Sequence, residues 1–102
     1  MTDTQLMLGV EAPVVDPDAL ARQTVRTVIE NEARLHGGHV SSNAVRARLR
    51  TTGVDVPSHV VGQVYAQLRR EGRLVEAGSE RSTDTQSGNG GRLIPSYVWV
   101  SP

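Results

Sequence analysis

The chain contains no cysteine, no lysine and no phenylalanine. Without cysteine there is no disulfide scaffold, no Cys-ligated zinc finger, no iron–sulfur cluster and no thiol catalysis, and a reducing cytoplasm is the expected setting. Without lysine the basic charge is arginine alone, 11 residues against 11 acidic ones, for a formal net charge of zero. That balance excludes both a polybasic tail binding by bulk charge and an acidic solvating segment. Aromatic residues are 3% of the total, so any core must be aliphatic, built from 15 Val, 8 Leu, 2 Ile and 8 Ala. No apolar run exceeds four residues, so no segment reads as a membrane-spanning helix. The opening MTDTQLMLGVEAP lacks the basic start and the apolar length of a secretory leader. With 102 residues there is room for one domain and a tail.

Signals for chemistry are equally sparse. His36-Gly37-Gly38-His39 spaces two imidazoles for a metal, but the glycines read more simply as a helix end, and no metal is expected. Ser87-Gly88-Asn89-Gly90-Gly91 lacks the Lys-Ser/Thr of a phosphate-binding loop and opens no helix. No Asp, Glu or His cluster has the spacing of an acid–base pair, so neither an enzyme nor a cofactor is expected.

The neutral total conceals an asymmetry. Residues 1–21 carry four acids, Asp3, Glu11, Asp16 and Asp18, and no arginine. Between 42 and 73 stand Arg46, Arg48, Arg50, Arg69, Arg70 and Arg73 against only Asp55 and Glu71. Salt screens charges more than about 10 Å apart, so a local basic cluster matters more than the total.

Residues 1–15 show no period, although Leu6, Met7, Leu8 and Val10 are apolar, and read as a flexible arm or a dimer contact. Asp16-Pro17-Asp18 predicts a helix start, with Asp16 as N-cap and Pro17 first in the helix. Leu20, Ala21, Val25, Val28, Ile29 and Ala33 follow as one apolar stripe, and Gly37-Gly38 ends it. His39-Val40 is a stub of strand. Ser41 or Ser42 caps a second helix through about Arg50, with Val45 and Leu49 inward. After a turn at 54–57, Ser58 caps a third helix running to about Glu71 and stopping at Gly72. Val60 or Val61, Val64, Tyr65 and Leu68 form its inner stripe. Two extended segments follow, 73–77 and 92–100, around a polar loop at 79–91 with no core-forming residue. Leu74, Leu93, Ile94, Val98 and Trp99 are expected to complete the core from the hairpin.

The order helix, stub, helix, turn, helix, strand, loop, strand resembles the winged helix-turn-helix family. The passage PSHVVGQVYAQLRREGRLVEAG, with Leu68, Gly72, Leu74 and Gly78, is similar to that family's recognition helix leading into its first wing strand. Gly91-Arg92 through Tyr97-Val98-Trp99 resembles its second wing strand, as in small phage and bacterial members. The resemblance covers residues 17–100 and implies an α+β domain over 16–102, three helices followed by a two-stranded hairpin wing. It also implies double-stranded DNA as partner, with the third helix in the major groove and the wing on the minor groove or backbone. Carried over by position, Ser58, His59, Gln63 and Gln67 would read bases. Arg46, Arg50, Arg69, Arg70, Arg81 and Arg92 would meet phosphates. The reading helix has no arginine in its first two turns, which points to modest specificity or a helping partner. Transcriptional regulation or a phage-type accessory role, a homodimer through the arm, and a cytoplasmic location complete the expectation. The alternative is a winged-helix protein-interaction module, a complex subunit or an inhibitor of a host protein.

Overall fold

The computed structural model describes residues 16–83 and 91–100. The arm at 1–15 and the loop tip at 84–90 lie outside the described residues. Three helices, α1 (Ala19–Leu35), α2 (Ser42–Leu49) and α3 (Ser58–Arg70), combine with three strands, β1 (His39–Val40), β2 (Leu74–Arg81) and β3 (Leu93–Trp99). The architecture is α+β with one antiparallel sheet in the order β1-β3-β2. The expected two-stranded hairpin is therefore a three-stranded sheet, because the stub at His39-Val40 pairs with Val98 and Tyr97 of β3. No helix among the described residues is long and apolar enough to cross a membrane.

Helix boundaries follow from local chemistry. Asp16 is not the N-cap of α1. Its Oδ1 accepts from the Asp18 amide at 2.9 Å, and its carbonyl accepts from Ala19 N at 3.1 Å. That turn uses up Asp16, so the helix starts at Ala19 with Asp18 at the cap position. The helix closes where Gly38 N donates to Ala33 O at 2.7 Å, with Gly37 and Gly38 both at positive φ, as the glycine pair implies. For α2 the expected cap holds: Ser41 Oγ accepts from Ala44 N at 3.2 Å. For α3 it does not. Pro57 is at the cap position, and Ser58 is already the first helical residue.

The core forms where the three helical stripes converge on the sheet. Ala21, Val25, Val28, Ile29 and Ala33 of α1 meet Val45 and Leu49 of α2 and Val60, Val64 and Leu68 of α3. Leu20, placed on the α1 stripe by spacing, is instead exposed. The stripe continues through Glu32, which is buried, 2% exposed, between the Val28–Ile29 and Ala33 turns.

Leu74 and Tyr97 close the core from the sheet, with Trp99 packed at its margin. Leu93 and Val98 do not, and both are exposed. Once Tyr97 points inward, its neighbour Val98 must point out, because side chains alternate along a strand. β2 also runs to Arg81, beyond the expected end at Ala77, with a bulge between Glu76 and Gly78. Ser82 N donates to Arg92 O at 2.7 Å and Gly91 N to Ser82 O at 2.8 Å, so pairing continues into the stretch expected to be loop.

Candidate functional site

Among the furrows of the described residues, two border α3 and carry the residues singled out from sequence, one against α2 and β3 and one against α1. The first runs between α2, α3 and β3, about 380 Å³ in volume. Val45 and Leu49 of α2, Val61 and Tyr65 of α3 and Tyr97 of β3 give it an apolar floor, with Arg46 and Arg69 on opposite walls. Ser42 and Ser58, near the starts of α2 and α3, are among its lining residues, and no carboxylate is. The Tyr65 and Tyr97 rings stack with centroids 5.0 Å apart. Burial pushes both hydroxyls above the ordinary tyrosine range, so they stay protonated through neutral pH.

The second furrow lies between α1 and α3. It is lined by Arg22, Gln23 and Arg26 from α1 and by Gln63, Gln67 and Arg70 from α3. Its lower end is an ion-pair network. Arg26 Nη2 donates to Glu71 Oε1 at 2.9 Å, and Gln67 Nε2 donates to Glu71 Oε2 at 2.8 Å. These bonds hold the Glu71 carboxyl below its usual range, the arginine contact contributing most. At the other end of α3, His59 Nε2 is 3.3 Å from Asp18 Oδ2.

The residues singled out from sequence thus separate. Ser58, Arg46 and Arg69 border the first furrow, and Gln63, Gln67 and Arg70 the second. The Gln67 carboxamide is engaged at both ends, since Arg70 Nη2 donates to its Oε1 at 2.8 Å. Arg69 faces Glu76 at 3.7 Å. Arg50 is exposed at the end of α2. Arg81 Nη1 donates to Gly91 O at 2.8 Å across the hairpin, while Arg92 is exposed beside it. Gly62 of α3, exposed, also lines the first furrow, and a Cβ there would meet nothing within 4 Å.

Two contributions were not anticipated from sequence. Arg22 and Arg26, which lie off the apolar stripe of α1, bring cationic charge beside Gln63 and Gln67. Glu80 and Asn43 join the hairpin to α2. Glu80 Oε2 accepts from Ser42 N at 2.7 Å and Oε1 from Ser41 Oγ at 2.7 Å. Asn43 Nδ2 donates to Arg81 O at 2.7 Å. Nothing in the local sequence marks Glu80, one polar residue in a polar stretch; an asparagine at the second position of a helix is the only hint. Among the described residues no group of three or more His, Asp or Glu is placed to hold a metal, and His36 instead lies 3.4 Å from Glu32.

Comparison with known proteins finds no matching family model, no matching curated protein and no matching solved structure.

Proposed function

We propose that the chain is a winged helix-turn-helix protein that binds double-stranded DNA, acting in the cytoplasm as a transcriptional regulator or phage-type accessory factor. In this reading α3 enters the major groove and the β2–β3 hairpin is the wing. The observation that carries it is the first furrow. Arg46 and Arg69 flank a trough lined by no carboxylate, between the helix assigned to the groove and the hairpin that bears Arg81 and Arg92. Guanidinium groups lining the trough suit a phosphate strand passing over it, Arg69 exchanging its 3.7 Å contact with Glu76 for the phosphate. The element order and the antiparallel sheet are compatible with the same reading. Ser58, exposed in the first turn of α3, is the residue best presented to base edges or to a phosphate at the helix start, and His59 beside it would exchange Asp18 for such a contact. Gln63 lines the second furrow, on the α1 side of α3, and Gln67 is held by its neighbours. Sequence reading is accordingly modest, and affinity comes mainly from phosphates. A homodimer through the arm at 1–15 belongs to the same proposal.

A second reading, a protein-interaction module, has one observation in its favour. Val75 and Val98 are partners across β2 and β3, both are exposed, and Val100 beyond them is exposed too. Fluorescence anisotropy on duplex DNA at three salt concentrations separates the two. The DNA reading expects log affinity to fall linearly with log salt, and Arg46→Ala or Arg92→Ala each to lower that slope by about 1 on every duplex. Absence of salt-dependent binding at low salt and micromolar protein sinks the DNA reading and favours the apolar strip as a protein contact.

A further inference from the structure

The distal half of the hairpin has little of its own to hold it. β1 reaches only Tyr97 and Val98, so residues 78–81 and 93–96 form a two-stranded ribbon beyond it. Such ribbons twist freely and are marginal alone. The bulge between Glu76 and Gly78 adds a bend at its root.

What meets this ribbon is the first turn of α2. The Glu80 carboxylate takes the Ser42 amide and the Ser41 hydroxyl, as above, and Asn43 Nδ2 lies 3.3 Å from the same carboxylate. Asn43 Oδ1 accepts from Thr83 N at 3.0 Å and from Thr83 Oγ1 at 3.2 Å, and Ser42 Oγ donates to Pro95 O at 2.6 Å. Three consecutive residues, 41–43, therefore grip both strands of the hairpin. Arg81 is at the centre of this grip: its carbonyl is held by Asn43, and its guanidinium by Gly91 across the strands.

Glu80 also fills the positive end of α2. Free amides at a helix start attract anions, and here a carboxylate from the same chain supplies the charge. A DNA phosphate gains nothing at that position, so phosphates must be met by arginine side chains, whose placement depends on how the hairpin is held.

We infer that Asn43 and Glu80 form a clamp that fixes the hairpin on α2 and so positions Arg81 against the DNA backbone. Asn43 and Glu80 are positioning residues; neither touches the nucleic acid. The inference rests on the DNA reading above.

The test is a double-mutant cycle on the full chain, read by anisotropy on a random-sequence duplex at three salt concentrations. Arg81→Ala lowers the salt slope by about 1 in the wild-type background, because one phosphate is no longer neutralised. Asn43→Ala changes no charge, yet it lowers the slope by about the same amount, and Arg81→Ala added to it changes nothing further. Amide relaxation reports the clamp without DNA: order parameters at Arg81 and Thr83 fall from about 0.85 toward 0.6 in Asn43→Ala. If circular dichroism shows Asn43→Ala unfolded, Asn43→Ser takes its place in the cycle, because it changes no charge and its hydroxyl is too short to hold Arg81 O and Thr83 N together. Equal effects of Arg81→Ala in both backgrounds, with wild type binding normally, overturn the clamp and leave the DNA reading standing. Absence of salt-dependent binding by wild type overturns both.

Discussion

Arg48 Nη2 lies 3.3 Å from Glu32 Oε2, so an exposed arginine on α2 reaches a carboxylate buried in α1. Removing one member of such a pair leaves the other to bear the desolvation. Arg48→Ala leaves His36, 3.4 Å from Glu32, beside the carboxylate and is expected to destabilise by about 1–3 kcal/mol, the range for a buried polar group that loses a partner. Glu32→Leu in the same background should recover most of that loss, since an apolar side chain suits the stripe of Val28 and Ile29. Urea unfolding of the single and double variants measures both, and a neutral Arg48→Ala would show that the pair contributes nothing.

Leu68 is fully buried on α3, and its neighbour Gln67 is exposed. Leu68→Ala should therefore cost about 2–5 kcal/mol through the cavity it leaves. Gln67→Ala loses only surface hydrogen bonds and should cost under about 0.5 kcal/mol. Similar unfolding midpoints for the two variants would contradict the assigned face of the helix.

Gly62 weakens α3 for no reason visible inside the fold, since a methyl group there meets nothing within 4 Å. Gly62→Ala should raise stability by about 0.5–1 kcal/mol, from helix propensity and a less entropic unfolded chain. If α3 approaches a duplex along the face that bears Gly62, the same methyl should weaken DNA binding while thermal stability rises. A rise in both would place the contact elsewhere.

Burial raises the Tyr65 hydroxyl far above its ordinary value, and Tyr97 shifts the same way. The unfolded chain releases these protons near pH 10, while the folded protein retains them. Stability contributed by the neutral hydroxyls is complete below pH 10 and is lost as pH rises toward the folded values. Each such group contributes a slope of at most about 1.4 kcal/mol per pH unit. Tyr65→Phe should flatten the alkaline limb of a stability–pH profile measured by denaturant unfolding. An unchanged limb would mean that Tyr65 does not titrate with unfolding.

The helical part of this structure was largely legible because helix stripes depend on spacing, and spacing is written in the chain. Val25, Val28 and Ile29, like Val64 and Leu68, followed from it, and Gly37-Gly38 and Gly72 followed from the backbone that only glycine adopts easily. The sheet was less legible. Four consecutive apolar residues, Tyr97 to Val100, carry no alternation, so nothing local tells which of them faces inward. The extension of β2 was hidden for another reason. Glu80 and Arg81 look like loop residues until Ser41, Ser42 and Asn43, nearly forty positions earlier, supply their partners. For the candidate site, the residue types were readable but their grouping was not. A spacing of six puts Gln63 and Arg69 about 120° apart around α3, but only the packing of α1 and β3 against the helix decides which furrow each meets.

The central position of β3 also governs when the protein can fold. Among the described residues β1 and β2 do not pair with each other, and each pairs with β3, which follows both in the sequence. During synthesis the three helices and both outer strands emerge before their common partner. Until Leu93–Trp99 leaves the ribosome, Val40 and Leu74 have no strand beside them and the core has no Tyr97. The helices can associate early through local contacts, but closure of the sheet is deferred until β3 has emerged. A nascent chain stalled before residue 93 is therefore a sheetless intermediate with two open strand edges, the form most exposed to proteases and to pairing with other chains.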